Sequence, residues 1–182
     1  MTRYVAFLRA INVGGHVVKM DQLRALFESM GAANVETLIA SGNVIFDTAR
    51  RNPAALERRI EVGLRQALGY QVTTFLRTLP EVAAVAAHSP FGPSEAEADA
   101  RYVGFLKAAP AANSCAAVAA CSNASHQLLV HNREIYWLRR NRLLELTGSG
   151  LEKALVGGVT FRNVTTVRKI AARWGPGPVK RR

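Results

Sequence analysis

A loop with two adjacent glycines is the part of this sequence best suited to bind an anion. It runs from Arg9 to His16 and contains Asn12, Gly14 and Gly15. Glycines let a ligand approach the backbone, N–H groups near a helix start favour anions, and a guanidinium adds bidentate contacts. The spacing matches neither a P-loop nor a dinucleotide-binding fingerprint. We expect this loop to bind an anionic or nucleotide-like ligand; a simple turn of the chain is the alternative.

A second polar turn adds a hydroxyl and an amide to the same candidate site. Ser41-Gly42-Asn43 lies between two apolar runs and has the composition of a tight hairpin turn. A helix joins the first two predicted strands, so these strands run the same way, and the loop and the turn share one end of the sheet. The predicted ligand contacts are Arg9, Asn12, Gly14, Gly15, Ser41, Gly42 and Asn43.

The C-terminal region contains a possible basic stripe. Helical spacing predicts a last helix from about Arg162 to Trp174, with Arg162, Lys169 and Arg173 on one face. This face could contact the phosphates of a nucleic acid, or it could be an ordinary solvated face. Arg162 and Asn163 would join the anion site if this helix docks there.

The sequence contains no motif that indicates a metal site or a hydrolase. No histidine has a second histidine or a cysteine three or four residues away, and the two cysteines are six apart, so we interpret them as inert thiols. We predict no metal and no cofactor, and the catalytic residues stay unknown. His16 beside Gly15 is the one candidate general base. The residues considered are His16, His88, His126, His131, Cys115 and Cys121.

Composition indicates a folded, strongly basic chain. Of 182 residues, 49% are hydrophobic and 20% charged, and no apolar run reaches the length of about 20 residues that a membrane span needs. No export signal is recognisable, so we expect a cytoplasmic protein without a membrane partner. The net charge is +11, from 24 basic and 13 acidic residues. Such a surface attracts nucleic acid or phosphate-bearing ligands, but it can also reflect compositional bias.

The elements that must position these residues predict an α+β fold. Residues 1–77 have the order βαββαβ, with strands at 2–9, 35–40, 44–47 and 72–77 and helices at 20–30 and 53–68. This order is typical of a ferredoxin-like half, with two helices on one face of an antiparallel sheet. The cap Asn52-Pro53 and the stop at Gly69 mark the ends of the second helix.

The sequence pattern of residues 78–174 predicts a second α+β half, related to the first but less regular, which packs on the first. A capping box at Thr78–Glu81 opens a helix, a loop covers 88–100, and a strand and a short helix follow at 101–107 and 113–120. A hairpin is predicted at 127–138, and two further helices at 149–156 and 162–174. No sequence repeat between the halves can be aligned. The glycines, prolines and basic residues of 175–182 predict a basic, flexible tail.

Several of these residues resemble the pattern of the domain-of-unknown-function 1697 family. The resemblance covers Leu8–Gly15, Met20, Leu23, Gly31, Thr37, Ser41–Val44 and the C-terminal element Thr160–Lys169. It implies a bacterial-type, cytoplasmic α+β protein built of ferredoxin-like pieces, and it implies no reaction. Departures from the family pattern are Ala10 for Gly, Val164 for Trp, Thr165 for Asn, Leu38 for Tyr and Ala40 for Gln.

Three functions remain open from the sequence. The leading hypothesis is a protein that binds a phosphate-bearing small molecule at the loop and turn. The alternative is a sequence-nonspecific nucleic-acid-binding protein that uses the basic C-terminal helix and tail, and a further alternative is an enzyme of unnamed reaction. Salt dependence separates the first two, because backbone binding to nucleic acid weakens steeply with salt.

Overall fold

The computed structural model describes residues 1–38, 42–141, 151, 155 and 157–175, which form eight strands and five α-helices. They divide into two compact units, Met1–Val82 together with the C-terminal residues from Trp174, and Ala83–Arg173. The prediction of an α+β fold is confirmed. The strands are β1 (Thr2–Arg9), β2 (Ala33–Leu38), β3 (Asn43–Thr48), β4 (Thr73–Thr78), β5 (Ala100–Phe105), β6 (His126–His131), β7 (Glu134–Arg139) and β8 (Thr160–Asn163). The helices are α1 (Met20–Ser29), α2 (Pro53–Leu68), α3 (Leu79–Ala87), α4 (Ala112–Ala120) and α5 (Val164–Trp174), with a 3-10 helix at Gly92–Glu97.

The sheet of the first unit has the strand order β2-β3-β1-β4, and all neighbouring strands are antiparallel. β1 lies inside the sheet between β3 and β4, and Val5 pairs with Ile45 on one side and Arg77 on the other. Its residues Tyr4–Leu8 are all buried, as an apolar run without alternation predicts. The element order is βαββαβ, and its ferredoxin-like character stays a prediction.

Both helices of this unit pack their apolar stripes on the sheet. α1 contributes Leu23 and Phe27, and α2 contributes Leu56, Ile60 and Leu64 to one buried cluster. Burial of each large apolar side chain stabilises the fold by about 1.5–3 kcal/mol. The ends of α2 follow its sequence signals, because the side chain of its cap residue accepts the Ala55 N–H at 3.0 Å and the glycine after it has a left-handed φ of 82°.

The edge strand β4 is partly protected by carboxylates of α2. Glu61 accepts the N–H of Thr74 at 2.8 Å, and Glu57 accepts the N–H of Leu76 at 2.9 Å. Exposed edges with unpaired N–H groups invite pairing with other chains, so these bonds protect the edge. They also commit both acidic side chains of α2 to the sheet.

The second unit repeats this topology. Its sheet has the order β6-β7-β5-β8, again fully antiparallel, and Val118 of α4 packs in a core cluster with Leu106, Leu128 and Ile135. The predicted hairpin is present as β6 and β7, with a positive φ of 54° at Asn132.

The shared topology aligns a sequence repeat, and the prediction that no repeat can be aligned is wrong. β5 occupies the place of β1, and Arg3–Leu8 and Arg101–Leu106 are identical at five of six positions. β8 likewise corresponds to β4, so Arg162 opposite Val103 matches Arg77 opposite Val5. The repeat is difficult to find in the sequence because the identical stretch is short and lies 98 positions from its copy.

The start of the last helix differs from its prediction. α5 begins at Val164 rather than Arg162, because Thr160–Asn163 pair with β5 as the unpredicted strand β8. Asn163 then caps the helix, and its Oδ1 accepts the Thr165 N–H at 2.8 Å. The predicted capping box of α3 is present: the carboxylate of Glu81 accepts the N–H of Thr78 at 2.7 Å. The predicted helix at 149–156 lies largely outside the described residues, and so does the predicted tail beyond Gly175.

Candidate anion-binding loop

Gly42, the residue before β3, lies directly against β1 and the β1–α1 loop. The Leu8 N–H donates to the Gly42 carbonyl at 2.8 Å. A Cβ on Gly42 would come within 2.7 Å of the Ile11 side chain and 3.0 Å of Leu8 Cβ, and its φ is +72°. Glycine is therefore required here for space and for backbone conformation. Gly42 and the loop are neighbours at one sheet end, as the connection rules predict for the turn; Ser41 lies outside the described residues.

The centre of the loop is an open turn. The His16 N–H donates to the Val13 carbonyl at 3.1 Å, and the two central glycines have φ values of +63° and +85°. Positive φ at both central positions is typical of a type I′ turn. Gly14 and Gly15 are exposed, and no atom lies within 4 Å of a Cβ built on either. Within the described part of the chain their N–H groups have no acceptor, so a ligand can reach them.

Three contacts with neighbouring residues hold this turn in place. Asn12 Oδ1 accepts the Val18 N–H at 2.8 Å, and the Tyr70 hydroxyl donates to the Ile11 carbonyl at 2.7 Å. The His16 ring stacks on Tyr70 with ring centroids 4.0 Å apart. Burial raises the pKa of Tyr70, so the hydroxyl stays a neutral donor at physiological pH. Sequence analysis missed Tyr70, because it has no motif relation to a loop nearly 60 positions earlier.

Two cationic residues flank the loop. Arg9 ends β1 opposite Thr73 and is half-buried, whereas Lys19 is exposed immediately before α1. The N-terminal end of α1 adds the partial positive charge of a helix start. The loop therefore combines accessible backbone N–H groups with a positive local potential, which is the chemistry that an anion requires.

Asn43 differs from the other predicted contacts because it is completely buried. Its exposed fraction is 0%, and its Nδ2 donates to the Leu38 carbonyl at 2.9 Å. The amide thus links the first residue of β3 to the last residue of β2. Gly42 is buried too, so both residues support the loop rather than face the solvent.

Arg162 is also buried, and the predicted three-residue basic stripe on the last helix is wrong. It lies on β8 with 7% of its surface exposed, and its Nη1 donates to Thr160 Oγ1 and the Phe161 carbonyl, both at 2.8 Å. Burial lowers the pKa of Arg162 to about 10. Arg77, its counterpart in the first unit, is 1% exposed and donates Nη1 to the Leu76 carbonyl at 2.8 Å. The recurrence indicates a structural role at each strand–helix junction.

The remaining basic residues of the stripe, Lys169 and Arg173, are exposed on α5. Asn163 caps this helix, so its side chain is also committed to structure. Arg162 and Asn163 both belong to the second unit, whereas the β1–α1 loop belongs to the first.

Other chemistry-bearing side chains do not cluster. Among the described residues, no group of three His, Cys, Asp or Glu side chains could hold a metal ion. Cys115 and Cys121 are free, half-buried thiols whose sulfur atoms lie near the carbonyls of Pro110 and Ala117. None of the helices in the described ranges combines the length and the apolar character needed to cross a membrane.

Comparison with known proteins assigns the family. Residues 1–136 match the family model described as "Protein of unknown function (DUF1697)". The chain belongs to this family. The DUF1697 structure is similar to "conserved bacterial protein SP0830 from Streptococcus pneumoniae", with a TM-score of 0.73, 22% sequence identity, and coverage of 94% of this chain and 97% of that one. At this identity the likeness shows the fold alone. No curated protein matches the sequence.

Proposed function

We propose that this DUF1697 protein binds a phosphate-bearing or nucleotide-like small molecule at its β1–α1 loop. The observation that supports this most is the exposed Gly14-Gly15 turn, which is anchored from below by Tyr70 and Asn12. A rigid turn presents its N–H groups without the entropy cost of ordering a loop upon binding. Arg9 and Lys19 supply the charge that steers an anion to the site.

The proposed contacts are fewer than the sequence predicts. The backbone N–H groups of Gly14 and Gly15 bind the anion, and the Arg9 guanidinium assists. Asn12, Gly42 and Asn43 act by holding the loop and the turn together. Arg162 and Asn163 are left out, because their side chains are committed to β8 and to the start of α5.

A titration with a matched glycine variant tests this proposal. Inorganic phosphate and adenosine monophosphate are titrated into labelled protein, and amide chemical shifts are followed by NMR. We expect saturable shifts at Gly14, Gly15 and His16. Gly15→Ala should weaken binding by about tenfold, because a Cβ strains a backbone with positive φ and moves the N–H groups.

Gly31→Ala is the control. Gly31 has a φ of +87°, and nothing lies within 4 Å of its built Cβ, so the substitution brings the same strain. It follows the opposite end of α1, a helix about 15 Å long. Binding should be unchanged in this variant. Equal weakening by both substitutions, or no saturable shift at the loop, would refute the proposal.

The nucleic-acid alternative gains no support of this kind. It loses Arg162, which is buried on a strand, and retains Lys169 and Arg173 on α5. Arg168 is exposed beside them and donates to the Ala86 carbonyl, and three basic residues on the exposed side of a helix are typical of an ordinary solvated surface. The same titration with a short DNA duplex serves as its test: shifts confined to α5 that vanish as salt rises would favour nucleic-acid binding over the loop proposal.

A further inference from the structure

A groove between α1 and α2 is a second concave site, separate from the loop. Its volume is about 640 Å³, which is within the range of small-molecule sites. Leu26, Met30, Val62 and Ala67 form its apolar lining, and Arg58 and Arg59 are its cationic groups. It lies toward the C-terminal end of α1, whereas the anion-binding loop precedes the N-terminal end of that helix.

Gly63 and Met30 determine the shape of this groove. A Cβ on Gly63 would overlap Met30 Sδ, so the thioether packs directly on the backbone of α2. Methionine is flexible and polarizable, and it adapts to apolar ligands of varied shape. Val62 beside it is 55% exposed, which is unusual for a valine on a helix with an otherwise regular apolar stripe. Leu26 and Met30 also pack against the core cluster, so Val62 supplies the most exposed apolar surface of the groove.

The positive charge at the groove is not balanced by α2 itself. The two acidic side chains of α2, Glu57 and Glu61, accept backbone N–H groups of β4. Arg58 has no hydrogen bond or ion pair to any residue that the structure describes, and Arg59 donates only to the Met30 carbonyl, at 3.3–3.4 Å. The guanidinium groups therefore keep donors for an anionic partner.

We infer that this groove binds an anionic amphiphile, a monomeric carboxylate carried on a straight apolar chain. The apolar lining would bury the chain, while Arg58 and Arg59 bind the carboxylate through charge-assisted hydrogen bonds. From Arg58 to Ala67 the groove extends over ten residues of α2, a rise of about 13.5 Å, which suits an extended medium-length chain. None of the described residues that line the groove is aromatic, so these residues offer no stacking platform of the kind that single-stranded nucleic acid uses.

Calorimetric titration of the whole chain with three matched probes tests this inference. Decanoate carries both features, decanol carries only the chain, and acetate carries only the charge. Decanoate is used below its micelle concentration and should bind saturably with one site. Decanol should bind about tenfold more weakly, because it lacks the charged contact, and acetate should give no saturable binding.

Variants on one helix locate the site. Arg58→Gln combined with Arg59→Gln should weaken decanoate about tenfold and leave decanol unchanged. Val62→Asp should weaken both, because it places a charge in the apolar lining. Arg65→Gln is the matched control: Arg65 is exposed on α2 but does not line the groove, so decanoate binding should be unchanged.

Three outcomes would overturn the inference. They are no saturable decanoate binding, equal weakening by the Arg65 control and by the Arg58/Arg59 pair, and binding to anionic vesicles without binding to monomeric decanoate. The last outcome would assign the surface to a membrane instead. The phosphate titration of the loop is independent, so failure of one proposal leaves the other standing.

Discussion

Ala10, in the β1–α1 loop, has a backbone conformation that glycine tolerates better, so we expect the protein to be more stable with glycine at this position. Its φ is +64°. The other non-glycine residues with positive φ in the described ranges are Asn34 and Asn132, and asparagine tolerates this region better than alanine. For an L-residue with a Cβ the left-handed conformation costs about 1–2 kcal/mol.

The expected change in stability for Ala10→Gly is the difference of two effects. Removal of the Cβ relieves the backbone strain, whereas glycine adds unfolded-state freedom that costs about 0.4–1 kcal/mol. The net result is a gain of about 0.8 kcal/mol in the free energy of unfolding. Ala32→Gly is the matched control: Ala32 is a half-buried loop residue of the same unit without a positive φ. It should lose at least about 0.5–1 kcal/mol, because glycine adds unfolded-state freedom there and the lost methyl group also packs against the core cluster, with no backbone strain to relieve.

Urea unfolding followed by circular dichroism measures both variants against the parent chain. The midpoint should rise for Ala10→Gly and fall for Ala32→Gly, with the slope m unchanged in both. Opposite signs for the same chemical change identify backbone strain as the cause. A loss of stability for Ala10→Gly equal to that of the control would refute the reasoning.

Three further predictions concern the caps, the edge strand and a buried histidine. Thr78→Ala should cost about 1 kcal/mol of unfolding free energy, because it removes the capping box of α3, and urea unfolding measures it. Glu57→Ala should cost about 1–3 kcal/mol, because the buried N–H of Leu76 loses its acceptor, and Glu57→Gln should recover most of this loss; no difference between the two would contradict the assignment. The pKa of His126 is lowered, first by burial and then by Arg139, and its Nδ1 accepts the Trp137 indole N–H at 3.1 Å. His126 therefore binds a proton at a higher pH in the unfolded chain than in the folded one. Its contribution to the free energy of unfolding is complete above a pH of about 6.5, and it falls as the pH drops toward the lowered folded-state pKa. His126→Gln should flatten this part of the pH profile in urea unfolding measured from pH 7.5 down to 5.

Local sequence signals predicted the elements that depend on short-range physics. β1 follows from five consecutive apolar residues, Tyr4–Leu8, and α2 follows from Asn52-Pro53, its leucine and isoleucine stripe and Gly69. The adjacency of loop and turn followed from connection rules alone, and the Leu8–Gly42 hydrogen bond agrees with it. These features depend on residues that are near each other in sequence or on topology that has few alternatives.

The errors occurred where a distant strand decides the local structure. Phe161 and Val164 have the spacing of a helix, but residues 160–163 form a strand because β5 is available to pair with them. The repeat of Arg3–Leu8 in Arg101–Leu106 became visible only when both segments were found at the same place in their sheets. Helical periodicity over a few residues cannot tell these cases apart.

The sequence by itself determined which residues could bind an anion, because residue type decides charge, hydrogen-bonding capacity and backbone freedom. Only the tertiary structure decided which of them face solvent. Asn43 and Arg162 direct their polar atoms to backbone carbonyls, while Gly14 and Gly15 remain open above Tyr70. The physical reason is that a buried polar group must find a partner inside the fold, and that partner is supplied by neighbouring segments whose approach only folding creates.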